Sequence, residues 1–235
     1  MSIHYSPTTV TNGLVLSLDA GNSKSYPGSG TTWTDLSGRG NTGTLIAGST
    51  FDSANGGTIK FNSTSYATVS GLSSFNFGSA ITLNFWHYNS SVNAINYRGV
   101  IANTYGSGSG TGFDFRYGRE NYYGGTNNGT ALYAMITTNV GSYGFAIFSD
   151  LDSWGYYTER YDGSTLSAFK NGILFSSVSA SGSLGSNSNS TIIGANANLG
   201  ERLNGSLGNA SIYNRALSAA EIYQNFNALR GRYGV

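Results

Sequence analysis

The chain has 235 residues, no cysteine, 10% charged residues and a formal net charge of +1. This excludes disulfide staples, thiolate metal sites and a cysteine nucleophile, and it leaves no basic field for nucleic acid or anionic lipid. A chain of this length buries roughly 70% of the surface it exposes when unfolded, so a core can form without staples.

Residues 1–12 are polar and predict an extended arm that dangles or docks, ahead of one domain over residues 13–235. They carry no charged start and no apolar stretch, and no segment of the chain approaches 18 consecutive apolar residues. The expectation is therefore no signal peptide, no transmembrane helix and no membrane partner. Leu14, Leu16 and Leu18 alternate and give a first strand. A polar loop punctuated by Pro27 and Gly28 follows, then a compact loop from Trp33 to Gly38. Residues 58–61 and 66–69 alternate, and in residues 81–86 Ile81, Leu83 and Phe85 share one face. Residues 100–102 read as a short buried strand. Phe113, Phe115 and Tyr117 share a core face, and residues 131–136 and 144–148 continue the pattern. Period-2 alternation between Gly- and Asn-rich clusters predicts half-buried antiparallel strands. Asn171-Gly172 between apolar runs predicts a type I′ hairpin, because both central residues need positive φ. Residues 191–194 and 208–213 supply the last strands.

One helix is predicted, over about residues 218–229. Ser218 and Glu221 fit a capping box, and Ile222, Phe226 and Leu229 fall on one face. Gly231 is placed to end it, leaving Arg230 to Val235 as an exposed tail.

Three stretches together resemble laminin G-like, concanavalin A-like jelly-roll domains. They are Leu14 to Asp19 followed by Trp33 to Gly38 and Gly57 to Asn62; Trp154 with Tyr161-Asp162-Gly163-Ser164 and Lys170-Asn171-Gly172; and Gly205 to Gly208 followed by Ile212 to Ile222. Order and spacing match over nearly the whole chain, and the closing segment is the most specific. The resemblance implies an all-β sandwich of two antiparallel sheets with one short C-terminal helix. Within the closing segment, Tyr213 is expected at the sandwich edge, and Arg215 is expected to pair with Glu221 or to hold loop carbonyls. This flavour of the family occurs in structural proteins of tailed phages. It therefore implies a non-enzymatic virion subunit, a capsid decoration or fibre protein on the particle surface. Its partners would be the major capsid protein, other virion proteins and copies of itself. The alternative is a lectin-like adhesin for host surface glycans.

Candidate chemistry is sparse. A glycosidase needs two carboxylates flanking the scissile bond. The four glutamates, Glu120, Glu159, Glu201 and Glu221, form no Glu-x-Asp-x-x-Glu-like run. Asp150 and Asp152, and the Glu159–Asp162 pair, read as turn acids. Of the two histidines, His4 lies in the arm and His87 is expected opposite Trp86, on the surface or hydrogen-bonded. A metal centre built on histidine or cysteine is nearly excluded by count. Relatives of this fold bind a structural calcium; Asp19, Asn22 and Asp35 are candidate donors, but no ligand spacing assigns a site, so no cofactor is carried. Gly106 to Gly112 lacks the lysine and helix of a phosphate loop and reads as a hairpin tip. Sugar binding needs exposed aromatics with planar polar groups. Arg116, Arg119, Tyr122 and Tyr123 are the first candidates for a glycan or subunit contact, and Trp154, Tyr156 and Tyr157 the second.

Overall fold

The computed structural model describes residues 8–73, 75–90, 97–105, 110–118, 131–148 and 152–235. Among them the strands run in chain order as β1 (Leu14–Asp19), β2 (Thr32–Trp33), β3 (Gly43–Ile46), β4 (Thr50–Asp52), β5 (Thr58–Asn62), β6 (Tyr66–Val69), β7 (Ile81–Asn89) and β8 (Arg98–Ala102). They continue as β9 (Gly112–Tyr117), β10 (Ala131–Thr137), β11 (Ser142–Phe148), β12 (Ser153–Tyr161), β13 (Thr165–Lys170), β14 (Ile173–Ser179), β15 (Thr191–Ile193) and β16 (Asn204–Tyr213), before helix α1 (Ala219–Tyr233).

Two eight-stranded antiparallel sheets face each other as a jelly-roll sandwich. The first, sheet A, has the order β14-β13-β12-β7-β16-β5-β4, with β1 also on β16; the second, sheet B, runs β11-β10-β9-β8-β15-β6-β3-β2. Alternation decides which side chains meet between them. Ile81, Leu83 and Phe85 of β7 and Tyr157 and Tyr161 of β12 face Phe113, Phe115 and Tyr117 of β9 and Leu132, Ala134 and Ile136 of β10. Phe85 meets Phe115 edge-on at 4.7 Å between ring centroids, a favoured aromatic geometry.

The β13–β14 hairpin turns on Asn171 (φ 53°) and Gly172 (φ 78°), the two positive angles a type I′ turn demands. Four strands escape the sequence reading: β2, β3, β4 and the nine-residue β12. β12 is apolar on both faces, Tyr156 outward and Tyr157 inward, so it shows no alternation to read.

The helix also differs. Its capping box is present, with the Ser218 hydroxyl accepting from the Glu221 N–H and the Glu221 carboxylate accepting from the Ser218 N–H. Arg215 pairs with Glu221 at 2.5 Å, and Glu221 is held down to about 2, mainly by its hydrogen bonds from Arg215. However, α1 runs through Gly231 and stops only at Gly234, the left-handed cap. The last turn is held because Tyr233 is buried and stacks on Trp86 at 4.2 Å and 14°. Arg232 meanwhile donates to both oxygens of Asp19 at 2.9 Å. The expected exposed tail is thus docked, and the glycine penalty at Gly231 is outweighed by aromatic burial. Tyr233 reaches its seat over Gly208 in a bulge of β16, where a Cβ would collide with the tyrosine hydroxyl.

Tyr213 lies beneath the helix rather than at an edge, donating to the Val10 carbonyl at 2.8 Å. The Val10 N–H in turn donates to the Asn225 side-chain oxygen at 2.8 Å. Residues 8–12 are therefore tied to α1.

A binding cleft on the outer face of sheet A

On sheet A, side chains alternating away from the core form an outer face. Helix α1 covers part of it, burying Trp86, Tyr156, Phe169 and Tyr213 beneath Ile222 and Phe226. Beside the helix the face is open and forms a cleft of about 460 Å³, within the roughly 300–1,000 Å³ typical of ligand sites.

The register explains how the cleft is built. Thr50 of β4 pairs with Lys60 of β5, Lys60 with Ser206 of β16, Ser206 with Tyr88 of β7, and Tyr88 with Trp154 of β12. One row thus crosses five strands, roughly 19 Å at about 4.8 Å per strand. Asn62 and Asn204, themselves cross-strand partners, form the adjoining row. At one end of the row Trp154 meets Tyr88 edge-on at 5.7 Å and Tyr233 at 4.7 Å. Tyr233 also stacks on Trp86, so the cleft's half-buried tryptophan is braced from behind by a buried aromatic column. At the other end Lys60 pairs with Asp52 at 2.5 Å. Asp52 is held below the usual carboxylate range, first by the Lys60 hydrogen bond and then by the Ala54 amide.

The expected site residues are placed differently. Arg116 is on sheet B, away from the cleft. Its guanidinium lies 3.5 Å from Asp114 and from Glu201, and over the rings of Tyr97 and Tyr105. Its side chain is 13% exposed, and its guanidinium is engaged by these two carboxylates. Arg119, Tyr122 and Tyr123 lie outside the described residues, as do Asp150 and most of the Gly106 to Gly112 stretch. The structure splits the second group: Trp154 walls the cleft, Tyr156 is under the helix and Tyr157 is in the core.

Ionisable groups also occupy the interior, which the sequence reading missed. His87 points opposite Trp86 as expected, and of the two alternatives it is hydrogen-bonded rather than on the surface: it is fully buried, in line with Phe85 on the core face. Its Nδ1 is 3.1 Å from the Ser206 carbonyl and its Nε2 2.6 Å from the Tyr117 hydroxyl. A carbonyl only accepts, so Nδ1 carries the proton and Tyr117 donates to Nε2. Burial lowers this histidine to about 4, leaving it neutral at pH 7. Glu159 is fully buried on the core face of β12, which corrects its reading as a turn acid. Neither of its oxygens has a hydrogen-bond partner, and burial, with the Asp114 charge adding to it, pushes it well above the usual range. Asp114, buried behind β9, is pushed up to about 7 by burial, with Arg116 opposing. Asp162 is the turn former expected, accepting from the amides of Ser164 and Thr165.

The candidate calcium donors are occupied. Asp19 holds Arg232; Asp35 accepts from the amides of Ser17, Ser37 and Asn41; Asn22 accepts from the Lys24 amide. Among the described residues no three His, Cys, Asp or Glu side chains converge to hold a metal ion.

The sequence profile of the concanavalin A-like lectin/glucanases superfamily matches residues 61–223. The chain belongs to this superfamily. No curated protein matches its sequence. Among solved structures, this concanavalin A-like chain is similar to the binding domain of Paraclostridial Mosquitocidal Protein 1, with TM-score 0.67 and 20% identity over 93% of this chain and 52% of that one. It is also similar to the binding domain of botulinum neurotoxin DC in complex with rat synaptotagmin II, with TM-score 0.69 and 13% identity over 94% of this chain and 52% of that one. The same neurotoxin domain in complex with SialylT gives TM-score 0.68 and 13% identity over 94% and 52%. At these identities the likeness concerns the fold, and the chain spans about half the length of the structures it matches.

Proposed function

We propose that this chain is a non-enzymatic recognition module and that the cleft on the outer face of sheet A takes a glycan. The observation that carries this is the cross-strand row itself. A braced, half-buried Trp154 stands at one end, an Asp52–Lys60 pair at the other, and hydroxyls and amides lie between. Sugars present an apolar C–H face and a rim of hydroxyls; an aromatic ring takes the first, and planar amides with a carboxylate and an ammonium take the second. Pre-organisation of Trp154 lowers the ordering cost of binding. The lectin membership of the superfamily and the binding-domain neighbours support the reading. Hydrolysis would need two facing carboxylates, and among its described lining residues the cleft has one, already paired with Lys60.

The test is a glycan array probed with the purified chain, followed by calorimetry on each hit with Trp154→Ala and Tyr88→Ala. Loss of binding by variants that still melt cooperatively as folded protein is the expected result. Hits that survive both substitutions would move the glycan elsewhere, and an empty array would remove the reading.

A virion-surface subunit is the second reading, favoured by one observation. β14 ends sheet A, carries no charge, and exposes Ile173 (69%), Leu174 (55%) and Phe175 (42%). An uncharged apolar edge suits contact with capsid proteins or with further copies of the chain. Cryo-electron microscopy of particles from the source tests it: symmetry-related copies on the shell support it, and absence from the particle removes it.

A further inference from the structure

We propose that the cleft selects uncharged glycans and discriminates against sialylated and uronic-acid sugars; this rests on the glycan reading of the same cleft. The argument is electrostatic. Among the described residues, the charged side chains in the cleft lining are Lys60 and Asp52, and they neutralise each other at 2.5 Å. Asp52 is anchored further by the Ala54 amide at 2.9 Å, so the carboxylate is held from two sides beside the more exposed lysine.

A sugar carboxylate that sought Lys60 would have to displace Asp52 or sit beside it. Displacement costs a charge-assisted hydrogen bond, and sitting beside it sets two like charges within a few ångströms in a partly desolvated cleft. A neutral sugar meets neither cost. A hydroxyl can donate to Asp52 while its neighbour accepts from Lys60, and the ion pair persists. The rest of the row, Thr50, Ser206, Asn62 and Asn204, is neutral and offers an anion no net charge.

The discrimination is built on a repulsive element, so removing that element should relax it. Asp52→Asn keeps the shape of the side chain, removes the negative charge and releases Lys60 to meet an anion. The experiment is a set of matched oligosaccharides, each as the neutral form and as its sialylated or uronic counterpart, titrated against the wild type, Asp52→Asn and Trp154→Ala.

Wild type is expected to bind the neutral member of a pair at least tenfold more tightly. Asp52→Asn is expected to narrow that ratio by tenfold or more, and Trp154→Ala to abolish both. If wild type prefers the acidic member and Trp154→Ala abolishes that binding, the glycan reading stands and the selectivity falls. The selectivity falls equally if Asp52→Asn leaves the ratio unchanged, since the carboxylate is then not its source. If no pair binds, or binding survives Trp154→Ala, both fall together. A circular dichroism melt of each variant separates lost recognition from lost fold.

Discussion

Ionisable groups are handled in opposite ways in two regions of the molecule. In the cleft, Asp52 is partly solvated, meets a cation and an amide, and is held charged. Elsewhere, Glu159 on the core face of β12 and Asp114 on the outer side of β9 are buried, and burial pushes both upward, Asp114 to about 7 against the opposing Arg116 guanidinium at 3.5 Å. Solvation and a fixed cation keep the cleft carboxylate charged, whereas burial makes ionisation of the other two costly. Their protonation is a term in stability.

The largest expected effect comes from the residue that joins the cleft wall to the aromatic cluster under the helix. Tyr233 stacks on buried Trp86 and meets Trp154 of the cleft wall at a tilt of 46°. Tyr233→Ala should destabilise the fold by about 3–5 kcal/mol, as for other large-to-small aromatic deletions, and should weaken glycan binding as well. Urea melts and calorimetry together check this; loss of one property without the other would uncouple the regions.

Next is Glu159→Leu, which replaces an unpaired buried carboxyl by an apolar group. At pH 8 the variant should be more stable than wild type by about 1–3 kcal/mol. The sign follows from linkage. An acid raised in the folded state keeps its full contribution below the unfolded value and loses it as pH rises through the folded value. The gain should therefore shrink toward pH 4. A gain that is flat across pH would show that packing rather than protonation is responsible.

His87 acts in the opposite direction. Its folded value is lowered to about 4 from an ordinary value near 6.5, so its contribution is present above pH 6.5 and lost as pH falls through 4. Between pH 4 and 6.5 it opposes both acids. In His87→Gln, stability measured by urea unfolding should fall less on acidification than in wild type; an unchanged acid limb would remove this role.

The smallest effect belongs to the cleft. Asp52→Asn breaks a pair whose lysine is 55% exposed, and exposed pairs contribute roughly 0–1 kcal/mol. Its thermal midpoint should barely move, even as the ligand preference shifts. A large destabilisation would mean that Asp52 is structural and that the contrast between the two regions is weaker than drawn.

Much of the fold is local and was legible in the chain. Alternation placed β1, β7, β9 and β10, Asn171-Gly172 marked its hairpin, and Ser218 with Glu221 marked the start of the helix. β12 escaped because a central strand covered on both faces has no polar side to alternate with. The end of α1 escaped because Gly231 signals a stop, whereas the partner that extends the helix, Trp86, comes from β7. Of the first candidate site residues only Arg116 lies among the described residues, and it is committed to Asp114 and Glu201.

The sequence by itself determined the low charge, most strand positions and the helix cap, because composition is additive and periodicity, turns and caps are written in neighbouring residues; the sandwich class came through the resemblance to laminin G-like domains. Only the tertiary structure decided where function can sit. The row from Thr50 to Trp154 is assembled by the register of five strands far apart in the chain. It also decided which ionisable groups are charged, because solvation depends on what covers a side chain from elsewhere in the fold. Glu159 and Asp52 look alike in a sequence, and sheet packing makes one a core group whose ionisation is costly and the other a charged group in the cleft.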